Sequence, residues 1–125
     1  MSREKKESVV LMLIYVAGPF TSPTEDGIEA NIRAAIDAGI AIVDRGHWPM
    51  IPHLNRLIDL RYEETGRERP GWHFWMAFTN AQLLACDALF YVASSPGADV
   101  ERAVAEQRGM LVFTCIEDVP ILEVS

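Results

Sequence analysis

The sequence predicts an α/β protein, namely a three-layer sandwich whose parallel sheet has about four to five strands in a flavodoxin-like or Rossmann-like topology. Short apolar runs alternate with segments whose apolar residues recur at helical spacing. The runs are continuously apolar and rich in β-branched residues, as in strands covered on both faces. Alternation of this kind favours a parallel sheet with right-handed crossovers. The length of 125 residues suits one domain, spanning residues 1–125, around one core.

The first half of the chain is predicted to form a strand, a long helix and a short strand. Val9 to Ala17 is the first strand, and Gly18-Pro19 ends it. A helix follows, with apolar positions at Ile28, Ile32, Ala35, Ile36, Gly39 and Val43. Gly46 is a natural stop for this helix. The segment from Trp48 to Ile51, which is bounded by prolines, is the second strand.

The second half of the chain is predicted to contain three helices and two strands. In chain order these are a short helix from Leu54 to Glu64, a surface loop from Thr65 to Gly71, a helix from Trp72 to Cys86, a strand from Ala88 to Ala93, a helix from Asp99 to Arg108 and a strand from Met110 to Cys115. The helix from Trp72 to Cys86 has one apolar stripe, which comprises Trp75, Phe78, Gln82 and Ala85, with Leu83 and Leu84 beside it. Glu117 onward is a tail or a final edge segment.

Charge and cysteine usage restrict the function classes. The formal charge of −7 argues against nucleic acid and anionic membranes as partners. Cys86 and Cys115 lie in apolar surroundings without metal-ligand spacing, which predicts buried free thiols and a cytoplasmic location. The nine apolar residues after the charged N-terminus are too few to span a bilayer, so we interpret them as a strand and expect residues 1–8 to be disordered.

A candidate site is predicted where the strands end. Ligands of parallel α/β sheets bind beyond the carboxyl ends of the strands. This rule gathers the residues at or beyond three strand ends, which are Tyr15, Gly18, Pro19, Phe20, His53, Ser94, Ser95 and Glu101. We expect Glu101 just inside the start of a helix, where unpaired amides favour the ionised carboxylate. An acid at this position is also common simply because it suits the helix dipole.

Five segments in the same order resemble the nucleoside 2-deoxyribosyltransferase-like superfamily. They are IYVAGPF, an asparagine early in the first helix (Asn31), GHWPMIPH, LLACDALFYV and GADVE. The match covers about Leu13 to Phe113 and is similar above all to small bacterial and phage members. The superfamily includes transferases that exchange bases and hydrolases that cleave nucleoside 5′-monophosphates.

The resemblance implies a role for each matched residue. Glu101 would be the nucleophile that attacks C1′ of the sugar, and Tyr15 would orient it. Gly18, Pro19, Phe20 and Asn31 would shape the sugar and base pocket, whereas Ser95 with Ser94 and the Gly97 loop would hold a 5′-phosphate. His53 is either a site residue or a satisfied surface histidine. No metal or organic cofactor is implied, and the partner is a nucleoside or nucleotide bound by at least a homodimer.

Two departures from the family pattern bear on the reaction. The transferases have an aspartate six residues before the nucleophile, where this chain has Ser95, as the monophosphate hydrolases do. Known members also have an aspartate eight residues before the position of Asp87, and this chain has Thr79 there, followed by Asn80. Neither side chain is a general acid. His53 or His73 is a candidate replacement.

Three functions therefore remain open at this point. The first is an N-glycosidase or deoxyribosyltransferase that acts on a nucleoside or its monophosphate. The second is a non-catalytic nucleotide-binding module that uses the same pocket, and the missing acid at Thr79 supports it. The third is a small interaction protein with a decayed site. Ser94 and Ser95 are equally explained as helix caps, and Trp72 is a candidate for stacking on a base.

Overall fold

A computed structural model describes residues 9–123, so the predicted disorder of residues 1–8 lies outside the described residues. The main elements in chain order are β1 (Leu13–Ala17), α1 (Glu25–Asp44), β2 (Trp48–Met50), α2 (Asn55–Glu64), α3 (Trp72–Leu84), β3 (Ala88–Tyr91), α4 (Pro96–Gln107) and β4 (Leu111–Phe113). Short 3₁₀ turns at Pro52–Leu54 and Ile116–Asp118 complete this part of the chain.

The four strands form one parallel sheet in the order β2-β1-β3-β4. Tyr15 on the central strand β1 lies opposite Met50 of β2 and Leu89 of β3. The chain moves outward from β1 to β2 and then returns across β1 to β3. This reversal places the switch point of the sheet between β1 and β3. The predicted α/β three-layer sandwich of flavodoxin-like type is confirmed.

The core consists of two apolar layers, one on each face of the sheet. Ile14 and Val16 of β1 pack with α1 in the first layer, which contains Ala35 and Ile42. Tyr15 lies in the second layer with residues of α3, β3 and α4, which are Leu83, Leu89, Ala98 and Ala105. Alternate residues of β1 therefore face opposite helices, and burial on both faces explains why this strand is continuously apolar.

His47 joins the beginning of the sheet to the carboxyl-terminal segment. Its Nδ1 accepts a hydrogen bond of 3.1 Å from the amide of Met12, and its Nε2 lies 2.7 Å from the carbonyl oxygen of Pro120. The neighbouring Arg45 donates to the carbonyl oxygen of Val119, which is fully buried. Residues 9–11 are exposed, and regular strand pairing begins at Leu13, four residues later than the sequence predicts.

Two predictions about burial are wrong. Cys115 is exposed because β4 ends at Phe113 and the thiol lies beyond the covered part of the sheet; Cys86 is buried as predicted. On α3 the predicted apolar stripe is not the buried one, since Phe78 is exposed and Leu83 is the buried residue. This helix is apolar on nearly all sides, so periodicity alone gives no unique inward face.

The turn after α1 predicts a measurable cost for an added side chain. Gly46 has φ +92°, and a Cβ built there would lie 2.3 Å from the carbonyl oxygen of Leu122. We expect Gly46→Ala to lower the free energy of unfolding by more than the roughly 1–2 kcal/mol that a left-handed alanine costs. Gly66→Ala is the matched control, because φ is +72° and no atom lies within 4 Å. Equal losses in urea denaturation of the two variants would contradict the clash.

Candidate functional site

The candidate site lies at the carboxyl ends of β1 and β3, where the chain leaves the sheet toward opposite faces. The loop after β1 leads to α1 on one face, and the loop after β3 leads to α4 on the other. Diverging loops of this kind open a crevice at the edge of a parallel sheet, where ligands of such folds bind. The residues predicted for the site fall into two groups, one on each side of this crevice.

On the α4 side, Tyr15 and Glu101 form the predicted pair. The Tyr15 hydroxyl donates a hydrogen bond of 2.6 Å to Oε2 of Glu101. Tyr15 is fully buried, and burial raises the pKa of its hydroxyl far above the ordinary value, so the phenol keeps its proton and donates. Burial also raises the pKa of the half-buried Glu101, and the hydrogen bond from Tyr15 opposes that rise. Oε1 of Glu101 has no protein hydrogen-bond donor among residues 9–123.

The prediction that unpaired amides of the first helical turn stabilise the ionised form of Glu101 is wrong. Helix α4 begins at Pro96, three residues before the predicted start, because Ser95 caps it and proline suits the first helical position. Glu101 is therefore the sixth residue of the helix, beyond the turn in which free amides stabilise a charge. Desolvation and the tyrosine hydroxyl set its protonation instead.

The loop before α4 is organised by Asp99, which the sequence analysis did not single out. Its Oδ1 accepts a 2.6 Å hydrogen bond from the Tyr91 hydroxyl, and its Oδ2 accepts a 2.8 Å bond from Ser94. These two bonds hold the pKa of Asp99 below its ordinary value although the side chain is exposed. The Arg102 guanidinium lies 4.8 Å from the centre of the Tyr91 ring.

Ser95 and Gly97 take structural positions at the start of α4. Oγ of Ser95 accepts a 3.0 Å hydrogen bond from the amide of Ala98, which is the helix-capping alternative considered above. Gly97 is exposed in the first turn, and a Cβ built there meets no atom within 4 Å.

On the α1 side, a pocket of about 150 Å³ contains most of the other predicted residues. Its walls are largely apolar, and its lining comprises Gly18, Pro19, Asn31, Ala34, Ala35, His53, Val92 and Ala93. Asn31 shapes the loop above it by donating a 3.0 Å hydrogen bond to the carbonyl oxygen of Phe20. Tyr15, Glu101, Ser94 and Ser95 are outside this lining, so the pocket does not bring the two groups of predicted residues together.

His53 is buried and has one ring nitrogen without a partner. Its Nε2 lies 3.2 Å from the carbonyl oxygens of both Gly18 and Pro19, so this nitrogen carries the proton and donates to them. Nδ1 is buried and has no hydrogen-bond partner. Burial lowers the pKa of the ring, which stays neutral near pH 7. The Phe20 ring approaches edge-on, with 6.1 Å between ring centres.

The candidate proton donors are not equipped for that role. The neutral ring of His53 has its only N–H committed to two carbonyl oxygens. Thr79 donates its hydroxyl to the carbonyl oxygens of Trp75 and Met76 in its own helix. His73 is exposed on α3, with its ring 5.1 Å from that of Trp72, which is also exposed. Thr79 and His73 are both outside the lining of the pocket on the α1 side.

An amide pair beside Tyr15 was missed from the sequence. Asn55 donates a 2.7 Å hydrogen bond to Oε1 of Gln82, and Gln82 returns a 3.2 Å bond to Oδ1 of Asn55. Gln82 also lies 3.7 Å from Sδ of Met50, which is the strand neighbour of Tyr15. The pair ties α2 to α3 over this face of the sheet. Gln82 was placed on an apolar stripe, and pairwise amide contacts leave no periodic signal.

Comparison with known proteins places the chain in no family. No model of a protein family matches the sequence, and no curated protein matches it either. Within residues 9–123, no helix has the length and apolar character needed to cross a membrane. The same residues include no group of three His, Cys, Asp or Glu side chains arranged to hold a metal ion.

Replacing Tyr15 by phenylalanine tests the pair directly. Tyr15→Phe removes the hydrogen bond that lowers the Glu101 pKa, so we expect that pKa to rise further, measured by carbon NMR of the carboxyl group. At pH 8, the variant should also lose about 1.5–3 kcal/mol of unfolding free energy, as for a buried bond to a charged group. Tyr91→Phe is the matched control, since it should raise the pKa of Asp99 instead. An unchanged Glu101 titration in Tyr15→Phe would contradict the assignment.

His53 predicts a pH dependence of stability. Its folded-state pKa is below the ordinary 6.5, so the unfolded chain takes up a proton first as the pH falls. The contribution of His53 to the free energy of unfolding is therefore complete at pH 8, and it declines as the pH drops from about 6.5 through the folded-state pKa. His53→Leu should remove this slope, and at pH 8 should cost about 1–3 kcal/mol through the carbonyl oxygens left unpaired. His73→Leu should keep the slope in urea titrations; its loss there would refute the role of His53.

Proposed function

We propose that this protein cleaves or transfers the N-glycosidic bond of a nucleoside or nucleoside 5′-monophosphate, with Glu101 as the nucleophile. The hydrogen bond of 2.6 Å from Tyr15 to Glu101, beside the crevice between β1 and β3, is the observation that supports this most. A buried donor that fixes one oxygen of a carboxylate also fixes the direction in which the other oxygen points. Orientation of a nucleophile by a second side chain is the arrangement that covalent catalysis uses.

The proposed reaction has two steps. In the first, Oε1 of Glu101 attacks C1′, the C1′–N bond breaks, and the base departs with the bonding electrons and takes a proton from solvent. The product is a glycosyl ester of Glu101. In the second, water or an N–H nitrogen of another base attacks C1′ and loses a proton to solvent while the bond from C1′ to Glu101 breaks; this releases the carboxylate and gives the free sugar or a new nucleoside, or the 5′-phosphate of either. The elevated pKa of Glu101 reflects a poorly solvated carboxylate, and poor solvation strengthens its attraction to a cationic sugar.

A second candidate function has its own support. Base departure is usually assisted by a proton donor, worth about 10²–10⁴-fold in rate. His53 is neutral with its proton committed, and Thr79 bonds to its own helix. These observations favour a non-catalytic nucleotide-binding module as the alternative. Such a module would be stabilised by nucleosides or nucleotides without releasing a base.

The proposal includes a homo-oligomer in the cytoplasm. Large apolar side chains of α2 and α3 are exposed, among them Leu57, Ile58, Trp72, Phe74, Met76 and Phe78. Exposed apolar surface on this scale supports contact with another protein surface. A second copy of the chain is the partner we propose, because the same face then covers itself around a two-fold axis.

The decisive test is release of free base from a panel of nucleosides and their 5′-monophosphates. We expect turnover by the parent chain and a loss of more than about 100-fold in Glu101→Gln, as for other nucleophiles. The folded-state pKa of Glu101 lies above its ordinary value, so the ionised carboxylate costs stability as the pH rises through that pKa. Glu101→Gln should therefore be at least as stable as the parent at pH 7.

This stability check separates loss of chemistry from loss of fold. Glu106→Gln is the matched control, because Glu106 is an exposed residue of the same helix that pairs with Arg102. It should retain full activity. Base release by Glu101→Gln at the parental rate would refute the proposed nucleophile. Ligand-induced stabilisation without any base release would instead support the binding module.

A further inference from the structure

We propose that His47 is a pH-sensitive latch: when its ring takes up a proton, the chain just before β1 is released from the sheet while the carboxyl-terminal segment stays bound. His47 is buried and directly precedes β2, at the amino end of the parallel sheet. This latch lies at the opposite edge of the sheet from the candidate site, so it acts independently of the proposed function.

The two bonds of the His47 ring require one neutral form of the imidazole. Nδ1 accepts from the Met12 amide at 3.1 Å, so this nitrogen carries no proton. Nε2 lies 2.7 Å from the carbonyl oxygen of Pro120, and a carbonyl oxygen only accepts, so Nε2 carries the proton and donates. Only the neutral ring with its proton on Nε2 satisfies both partners at once.

Protonation of the ring affects the two bonds in opposite directions. Both nitrogens of an imidazolium ring are donors. The Nε2–H group still donates to Pro120, and the positive charge strengthens that bond. The Nδ1–H group faces the N–H of Met12, so two donors meet where His47 and Met12 are both buried. Buried N–H groups without an acceptor are costly, so the ring and the Met12 amide separate.

The contacts around the ring determine which segment moves. The carboxyl-terminal segment has two further bonds, from the Arg45 guanidinium to the carbonyl oxygen of Val119 at 2.9 Å and from the Leu122 amide to the carbonyl oxygen of Arg45 at 2.8 Å. Val119 is also fully buried in the core. On the other side of the ring, residues 9–11 are exposed. The part that leaves is therefore the exposed segment that ends at Met12.

The opening stops at Leu13, the first residue of β1. Its amide donates to Oδ2 of Asp87 at 2.8 Å, and a carboxyl group accepts whether or not it is protonated. Its carbonyl oxygen accepts from the Asp87 amide at 2.8 Å. Since neither bond involves His47, protonation of the ring leaves Leu13 paired.

The other charged groups of this region belong to the elements that pack around the ring. They are Asp44 and Arg45 at the end of α1, and Glu117, Asp118 and Glu123 of the carboxyl-terminal segment; β2 and residues 9–12 are uncharged. Within residues 9–123, the ring bonds to Met12 and Pro120 and to none of these side chains. His47 is therefore the group whose protonation alters the contact with Met12.

Native-state hydrogen exchange followed by NMR tests the latch, with each rate divided by the rate of the unfolded chain at the same pH. Between pH 8 and about pH 5, histidine side chains take up a proton. Over this interval we expect protection of the Met12 amide to fall about tenfold or more relative to that of the Leu13 and Leu122 amides. The latter two are internal controls, because unfolding of the whole protein exposes all three amides alike.

A pair of variants links the effect to His47. His47→Asn keeps an acceptor near the position of Nδ1 and cannot take up a proton, so the relative protection of Met12 should become independent of pH. His73→Asn changes an exposed histidine of α3 and is the matched control, which should retain the acid effect. In the parent chain, nitrogen NMR of the ring should show His47 titrating together with the loss of Met12 protection.

Three results would overturn the latch. The first is protection of the Met12 amide that stays level with that of Leu13 and Leu122 down to about pH 5. The second is persistence of the acid effect in His47→Asn. The third needs no variant: it is a loss of Met12 protection that follows titration of the His53 ring and not that of the His47 ring.

Discussion

Burial of β1 on both faces is the constraint on which this molecule depends. A strand with no polar face must be covered by helices above and below. The chain meets this demand by placing β2 on one side of β1 and β3 on the other, with helices on both faces of the sheet. This arrangement sends the loops after β1 and β3 apart and opens the crevice between them. The candidate site residues lie near the carboxyl ends of β1 and β3 because burial of the core requires the topology that separates these two loops.

The same burial determines the electrostatics of the site. Tyr15 is part of the apolar layer, yet its hydroxyl reaches Glu101, so the packing of the core and the orientation of the carboxylate are one feature. Tyr91 of β3 and Asp99 repeat the arrangement in a more solvated setting, and the two carboxylates differ in the direction of their pKa shifts. Opposite environments for two nearby acids are typical of functional sites.

The fold and the principal pair were predictable from the sequence, whereas the details of the α4 loop were not. Alternating apolar runs and helical segments were sufficient to predict the parallel sheet. The five segments that resemble a known family were sufficient to predict the hydrogen bond between Tyr15 and Glu101. The start of α4 was misplaced because a Ser-Pro step was interpreted as loop, although Pro96 begins the helix. Asp99 was not predicted because its hydrogen bond comes from Tyr91, which lies eight residues earlier in a strand.

The imidazole of His47 has a consequence for how the fold opens. One ring binds both the amide of Met12, at the entrance of the central strand, and the carbonyl of Pro120, while Leu122 donates to Arg45 beside it. Segments more than seventy residues apart are thereby joined into one cooperative unit. Loss of the Pro120 contact would remove one of the two bonds that hold the His47 ring, so we expect it to weaken the contact of that ring with the Met12 amide as well.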